Sequence, residues 1–189
     1  MGSIFLRHNE IVPGSHSYTF RVSEVPNPAA ITIRPAVAED AEAIVRIYLE
    51  SAEHHASLDP ERYWIPAVEM ISAHYRERRY PRQTEGESIT LVADLGGEIV
   101  GFIDARLERS PDPMHREMLY CHIVEFAVGV AHQSQGIGRR LLEAAEDWGR
   151  EHSAELASLE YLTANTRAGD FYQQRMGYRP AAITAIKRL

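Results

Sequence analysis

The run Val128-Gly129-Val130-Ala131-His132-Gln133-Ser134-Gln135-Gly136-Ile137-Gly138-Arg139-Arg140-Leu141-Leu142 constrains the fold more than any other segment. An apolar strand ends there in a glycine-bearing turn that opens directly into an amphipathic helical stretch. Gly136 and Gly138 have no side chains to hold a ligand away from the backbone, and the first turn of a helix leaves N–H groups that carry partial positive charge. The segment therefore reads as an anion site. The dinucleotide fingerprint G-x-G-x-x-G needs Gly or Ala where Leu141 stands, and G-x-x-x-x-G-K-[ST] is absent from the chain, which excludes both common nucleotide loops.

The rest of the chain supplies a sheet and its covering helices. Residues 31–34 alternate as a strand, and Ala41, Ile44, Val45, Tyr48 and Ala52 then share one helical face. A second helical region over 60–80 is kinked or split by Pro66. Residues 88–94 and 98–107 flank Leu95-Gly96-Gly97 and are predicted to pair as a hairpin. A strand over 118–130 feeds the glycine turn, and Ile137, Leu141, Ala144, Ala145 and Trp148 stripe the helix that follows. Further on come a strand over 156–162, a helix over 166–176 and a last strand over 180–189, giving the order βααβββαβαβ. Strands and helices mixed at these lengths imply an α/β sheet with helices on both faces. Residues 1–30 read as an N-terminal extension with an edge strand near 18–22, and 31–189 as one domain.

Charge and cysteine usage narrow the function classes. The 189 residues have a formal net charge of −7 and no Lys/Arg run, which argues against nucleic acid and mildly favours cationic partners such as amines. Cys121 is the single cysteine, so there is no internal disulfide and no usual zinc framework, as in a reducing compartment. No apolar run reaches membrane-spanning length and no secretory signal is recognisable, so a cytoplasmic location is expected. Glu53-His54-His55 and His74 lack metal-ligand spacing, and no metal is expected. Cys121 and His122, adjacent on a strand, point to opposite faces, which makes Cys121 a buried structural residue rather than a nucleophile.

Gln133-x-x-Gly136-x-Gly138 resembles the Q/R-x-x-G-x-G/A signature of the GNAT superfamily of acyl-CoA N-acyltransferases. Downstream, Asn165-Thr166-Arg167-Ala168-Gly169-Asp170-Phe171-Tyr172-Gln173-Gln174-Arg175-Met176-Gly177-Tyr178 is similar to the family's N-x-x-A-x-x-F-Y-x-x-x-G-[FY] segment. Taken singly, the glycines are turn chemistry, Asn165 a helix cap and Gly177 a helix end; the joint order and spacing carry the likeness, which covers about 31–189. It implies a mixed, mostly antiparallel central sheet with helices on both faces, splayed at the strand that binds acyl-CoA.

What the resemblance implies about chemistry is specific. Main-chain groups of Phe126, Ala127, Val128 and Val130 would pair with the pantetheine of acetyl-CoA, which adds to the strand edge as another strand would. Gln133, Ser134, Gln135, Gly136, Ile137, Gly138 and Arg139 would hold the pyrophosphate, and Asn165 would reach the cofactor from the next helix. The family often has a basic residue where Gln133 and Gln135 stand, so binding here would lean on backbone N–H groups, Arg139 and Arg140. A bulge near Phe126 and Ala127 would free an N–H for the oxyanion of a tetrahedral intermediate.

An alkyl amine is protonated at neutral pH, so a base must act: Glu125 first, His122 second, or a water chain. Tyr172 would protonate the leaving thiolate while Phe171 packs inward. The acceptor, a small-molecule amine or a peptide, would meet Glu50, Glu53, His54, His55, Tyr63 or Tyr75. The rival reading keeps the fold and the CoA site without turnover, as an acyl-CoA sensor. Monomer and homodimer both stay open.

Overall fold

The computed structural model describes residues 31–75, 86–110 and 113–188 of the chain. The expected edge strand near 18–22 and residues 76–80 of the second helical region lie outside these residues. Five strands form one sheet in sequence order: β1 (Ile31–Pro35), β2 (Ser88–Leu95), β3 (Glu98–Arg109), β4 (Leu119–Val128) and β5 (Leu156–Leu159). The first four pair antiparallel, and β5 runs parallel to β4. β2 and β3 form the expected hairpin, whose turn needs the positive φ angles of Gly96 (62°) and Gly97 (97°).

Helices cover both faces. Helix α1 (Ala41–Leu58) packs Ile44, Val45 and Ile47 with Ile71 of α2 (Val68–His74) over Val92 and Phe102. On the other face α3 (Ile137–Glu151) buries Ile137, Leu141, Leu142, Ala145 and Trp148 against Ile103, Cys121 and Ile123. Full burial of each large apolar side chain is worth about 1.5–3 kcal/mol, which fixes α3 across the sheet. α3 also supplies the crossover that a parallel β4–β5 pair requires. The short α4 (Thr166–Asp170) continues into a wide π turn over Phe171–Arg175 on this same face.

Three expected elements differ. Residues 60–62 form a turn and 63–67 are irregular rather than helical, and α2 begins only after Pro66. The strand expected over 180–189 is irregular over 180–188, with Ile183 and Ile186 exposed. The expected bulge near Phe126 and Ala127 sits at Val124 instead: Asp104 pairs with Glu125 while its neighbour Ala105 pairs with Ile123. Propensity alone cannot set this register, because the strand-favouring residues of the run are compatible with a bulge at either place.

The entry to α1 is held by Asp40. Its carboxylate receives Arg34 Nη1 at 2.7 Å and Nη2 at 2.9 Å, and accepts the Val37 N–H at 2.8 Å. The hydrogen bonds from Arg34 hold the Asp40 carboxyl below its ordinary value against the opposing effect of burial. A carboxylate with a lowered folded-state pKa stabilises above its unfolded value near 3.8 and loses that contribution as pH falls through the lower folded value. Asp40→Ala is expected to cost about 2 kcal/mol at pH 7, discounted for the partly exposed Arg34. In urea titrations the deficit should be smaller at a pH below the lowered folded value, where the wild type has lost the same contribution. An equal deficit at both pH values would mean that the carboxylate charge plays no part.

Candidate active site

β4 carries two different edges along its length. Its pairing with β5 runs from Tyr120 opposite Leu156 to Ile123 opposite Leu159 and then stops, while β4 continues to Val128. Beyond Ile123 the sheet is splayed, and the β4 edge there has no β5 strand beside it. At the end of that open edge comes the glycine turn. Among the described residues, the consecutive N–H groups from Ser134 to Arg139 meet no protein acceptor. Ser134 (φ 63°) and Gly136 (φ 81°) are both left-handed, the backbone shape that turns successive N–H groups toward one anion. A Cβ on Gly136 would have nothing within 4 Å, so the concavity is open. These features suit an anionic ligand.

Gly138 has a different reason. A Cβ there would lie 3.1 Å from Cζ of Phe126 and 3.7 Å from Cζ of Phe171, so this glycine makes room for aromatic rings rather than for a ligand. Other expected ligand groups are already engaged. The Val128 carbonyl accepts from Gln133 Nε2 at 3.0 Å, and the Val130 N–H donates to Glu50 Oε2 at 2.7 Å. Glu50 therefore shapes the turn from α1 rather than pointing at an acceptor. Gln135 Nε2 donates to the Ala131 carbonyl at 3.3 Å. Arg140 does not serve the loop as expected: Nη2 donates to the Ile31 carbonyl on the far-edge strand β1 at 2.7 Å. Arg139 stays near α4, donating to the Arg175 carbonyl at 3.0 Å. Asn165 Oδ1 caps α4 by accepting the Ala168 N–H at 3.1 Å.

The bulge at Val124 decides which side chains meet. In a regular strand positions 122 and 125 face opposite ways. With Val124 as the extra residue, His122 opposes Arg106 and Glu125 opposes Asp104, and these two β3 residues lie on the Phe102 face beneath α1 and α2. His122 and Glu125 therefore share that face, and Phe126 and Val128 join Cys121 and Ile123 under α3. His122 Nδ1 lies 3.0 Å from Ser158 Oγ on β5. The Ser158 hydroxyl can accept from Nδ1 or donate to it, and when it accepts, Nε2 is the ring nitrogen left as an acceptor.

Asp104 is buried, with its Oδ1 accepting from Thr90 Oγ1 at 2.5 Å. Thr90, Asp104 and Glu125 form a polar row across three strands. Sequence reasoning missed Asp104 and Ser158. Asp104 had a signal, a lone carboxylate inside an otherwise apolar run; Ser158 had none.

Tyr172 lies in the aromatic cluster on the α3 face, its ring centroid 6.3 Å from Phe126 on β4 and 5.4 Å from Tyr161 just beyond β5. It thus sits between the segments that splay. Of the pair expected to divide the work, Tyr172 is the buried one at 8% exposure, and Phe171 is half-buried, stacked on Phe126 at 6.1 Å. Burial, with a smaller contribution from Tyr161, pushes the Tyr172 phenol well above its ordinary value.

The remaining candidates spread out. Tyr75 is a core ring between Tyr48 and Phe102, His55 packs on Tyr63 at 5.4 Å, and Glu53 and His54 are exposed on α1. Cys121 is buried with Sγ donating to the Ala145 carbonyl, and burial raises its thiol to about 11, as an inert structural cysteine requires. Among the described residues no group of three or more His, Cys, Asp or Glu is placed to hold a metal, and no helix is long and apolar enough to cross a membrane.

The profile of the Acetyltransferase (GNAT) family matches residues 42–178, and the chain belongs to that family. A curated relative, the uncharacterized N-acetyltransferase YhfO of Bacillus subtilis (strain 168), is 32% identical over 93 residues, which is 49% of this chain. The match spans 59% of that relative's length. Among solved structures, the tetramutant of the BH1408 protein from Bacillus halodurans superposes with a TM-score of 0.70 at 22% identity, covering 84% of this chain and 99% of that one. AAC(6')-Iy in complex with the bisubstrate analogue CoA-S-monomethyl-acetylneamine gives 0.59 at 18% identity, covering 84% and 99%. The mixed, mostly antiparallel five-stranded sheet with helices is the fold of these neighbours.

Proposed function

We propose that this chain transfers an acetyl group directly from acetyl-CoA to a primary amine of a small molecule or peptide. The observation that carries the reading is the run of unsatisfied N–H groups from Ser134 to Arg139, set where β4 parts from β5. Those amides hold the diphosphate, and Ile137 and Gly138 seat the first turn of α3 beneath it. Main chain from Phe126 to Val128 lines the pantetheine arm, with the Val128 carbonyl first released by Gln133.

Glu125 or His122, brought to one face by the Val124 bulge, takes a proton from the ammonium acceptor directly or through water. A β4 N–H beside the bulge steadies the oxyanion, an effect of about 3 kcal/mol per donor. Tyr172 returns a proton to the thiolate. The CoA-linked acetylneamine in the structural neighbour supports an amine acceptor, as does the acidic character of this chain.

Two measurements test the reading together. CoA at about 100 times its Kd stabilises by about 2.7 kcal/mol, expected as a rise in melting temperature of about 5–10 °C. Thiol release from acetyl-CoA should then appear with at least one member of a panel of amines, amino acids, polyamines, aminoglycosides and peptides. A melting rise with no acceptor in the whole panel would instead favour the acyl-CoA sensor. No rise at all would remove the donor site.

A further inference from the structure

The glycine turn has no basic side chain at positions 133 to 135, where it offers glutamine, serine and glutamine. Arg140 is committed to β1, and Arg139 is shared between the Arg175 carbonyl and Glu143, 3.6 Å away. One other guanidinium reaches the turn. Arg167, in the first turn of α4, donates from Nη1 to Gln133 Oε1 at 2.7 Å and from Nη2 to Ser134 Oγ at 3.1 Å. Both acceptors are neutral. Among the described residues Arg167 has no carboxylate partner, so its charge is held against the orphan N–H run without a counter-ion.

We infer that Arg167 supplies the cationic contact to the diphosphate of the CoA donor, replacing the basic side chain that the turn lacks. The inference rests on the donor site proposed above and adds a residue to it. A guanidinium has five N–H donors in a planar fork suited to phosphate, and Gln133 and Ser134 engage only part of that set. Those two contacts order the side chain before ligand arrives, which reduces the entropy lost on binding. A loop-tying role alone would leave most of the guanidinium's N–H donors unused, whereas a diphosphate beside the turn would engage them.

The test compares wild type, Arg167→Gln and Arg167→Lys by calorimetric titration with CoA and by kinetics with acetyl-CoA and S-acetylpantetheine, which lacks the diphosphate. Arg167→Gln is expected to raise the Kd for CoA and the KM for acetyl-CoA about tenfold, with kcat unchanged. Kinetic constants with S-acetylpantetheine should not move. The salt dependence of CoA binding should flatten in Arg167→Gln and persist in Arg167→Lys, a change that a purely loop-tying arginine would not produce. Wild-type CoA affinity or an unaltered salt slope in Arg167→Gln overturns the inference and leaves the donor site standing. Absence of CoA binding by the wild-type chain overturns both.

Discussion

Tyr172→Phe is expected to lower turnover by about 10²- to 10³-fold and to leave CoA affinity nearly unchanged. The substitution removes one oxygen and keeps the ring that packs among Phe126, Tyr161, Phe171 and Tyr178. Burial keeps the phenol protonated throughout the range in which amines are acylated, so Tyr172 can act only as a donor. A phenol with a raised pKa is a weak acid toward a thiol, whose ordinary value is near 8.5.

The same apolar surroundings destabilise a thiolate, however, and narrow that gap. No limb of the pH–rate profile below about pH 10 should therefore belong to Tyr172. Single-turnover kinetics with acetyl-CoA separate the chemical step from product release. Near wild-type rates, measured where chemistry limits, would remove Tyr172 from the reaction. Loss of CoA affinity in parallel with rate would instead assign it to the cofactor wall.

How far the sequence announced this site depends on how local each signal is. The corner from β4 into α3 was legible because strand, turn and amphipathic helix follow one another without interruption, and the open, left-handed Gly136 sits where the pattern put it. Gly138 was legible as a glycine but not for its reason, since the rings of Phe126 and Phe171 come from other elements. The Val124 bulge left no trace in the run Leu119–Val128, whose residues suit a strand in either register, yet it decides that His122 and Glu125 share a face.

Phe171 packs inward as expected but only in part, and Tyr172 is the more deeply buried of the two where α4 widens into a π turn at Phe171, a departure from the 3.6-residue repeat. The reach of Arg167 to Gln133 is a tertiary contact between distant stretches of chain, and nothing in either stretch specified it. Residues 180–188 show the converse, since strand-like composition there stays irregular, with Ile183 and Ile186 exposed, although β5 is an edge strand.

Gly149→Ala is expected to destabilise the fold by about 2 kcal/mol, although alanine is the better helix former by about 1 kcal/mol. Gly149 lies within α3, where a Cβ would stand 2.6 Å from Cβ and 2.9 Å from Sγ of Cys121 on β4. Carbon atoms pack favourably near 3.5–4.0 Å, so this contact is strongly repulsive. Relief by rotation is unavailable, because Cys121 Cβ is fixed to the strand backbone and has no torsion that withdraws it. The helix would have to lift from the sheet, loosening the neighbouring contacts of Ala145 and Trp148 in the same core.

In a chain of this size the expected cost corresponds to a fall of about 4–8 °C in melting temperature. Cys121→Ala should recover only part of it, since that change removes the sulfur and leaves the closer carbon in place. A double-mutant cycle in urea measures the coupling. A gain in stability for Gly149→Ala alone would mean that α3 rides higher over β4 than this packing, and the seating of the Ser134–Arg139 amides at its other end would shift with it.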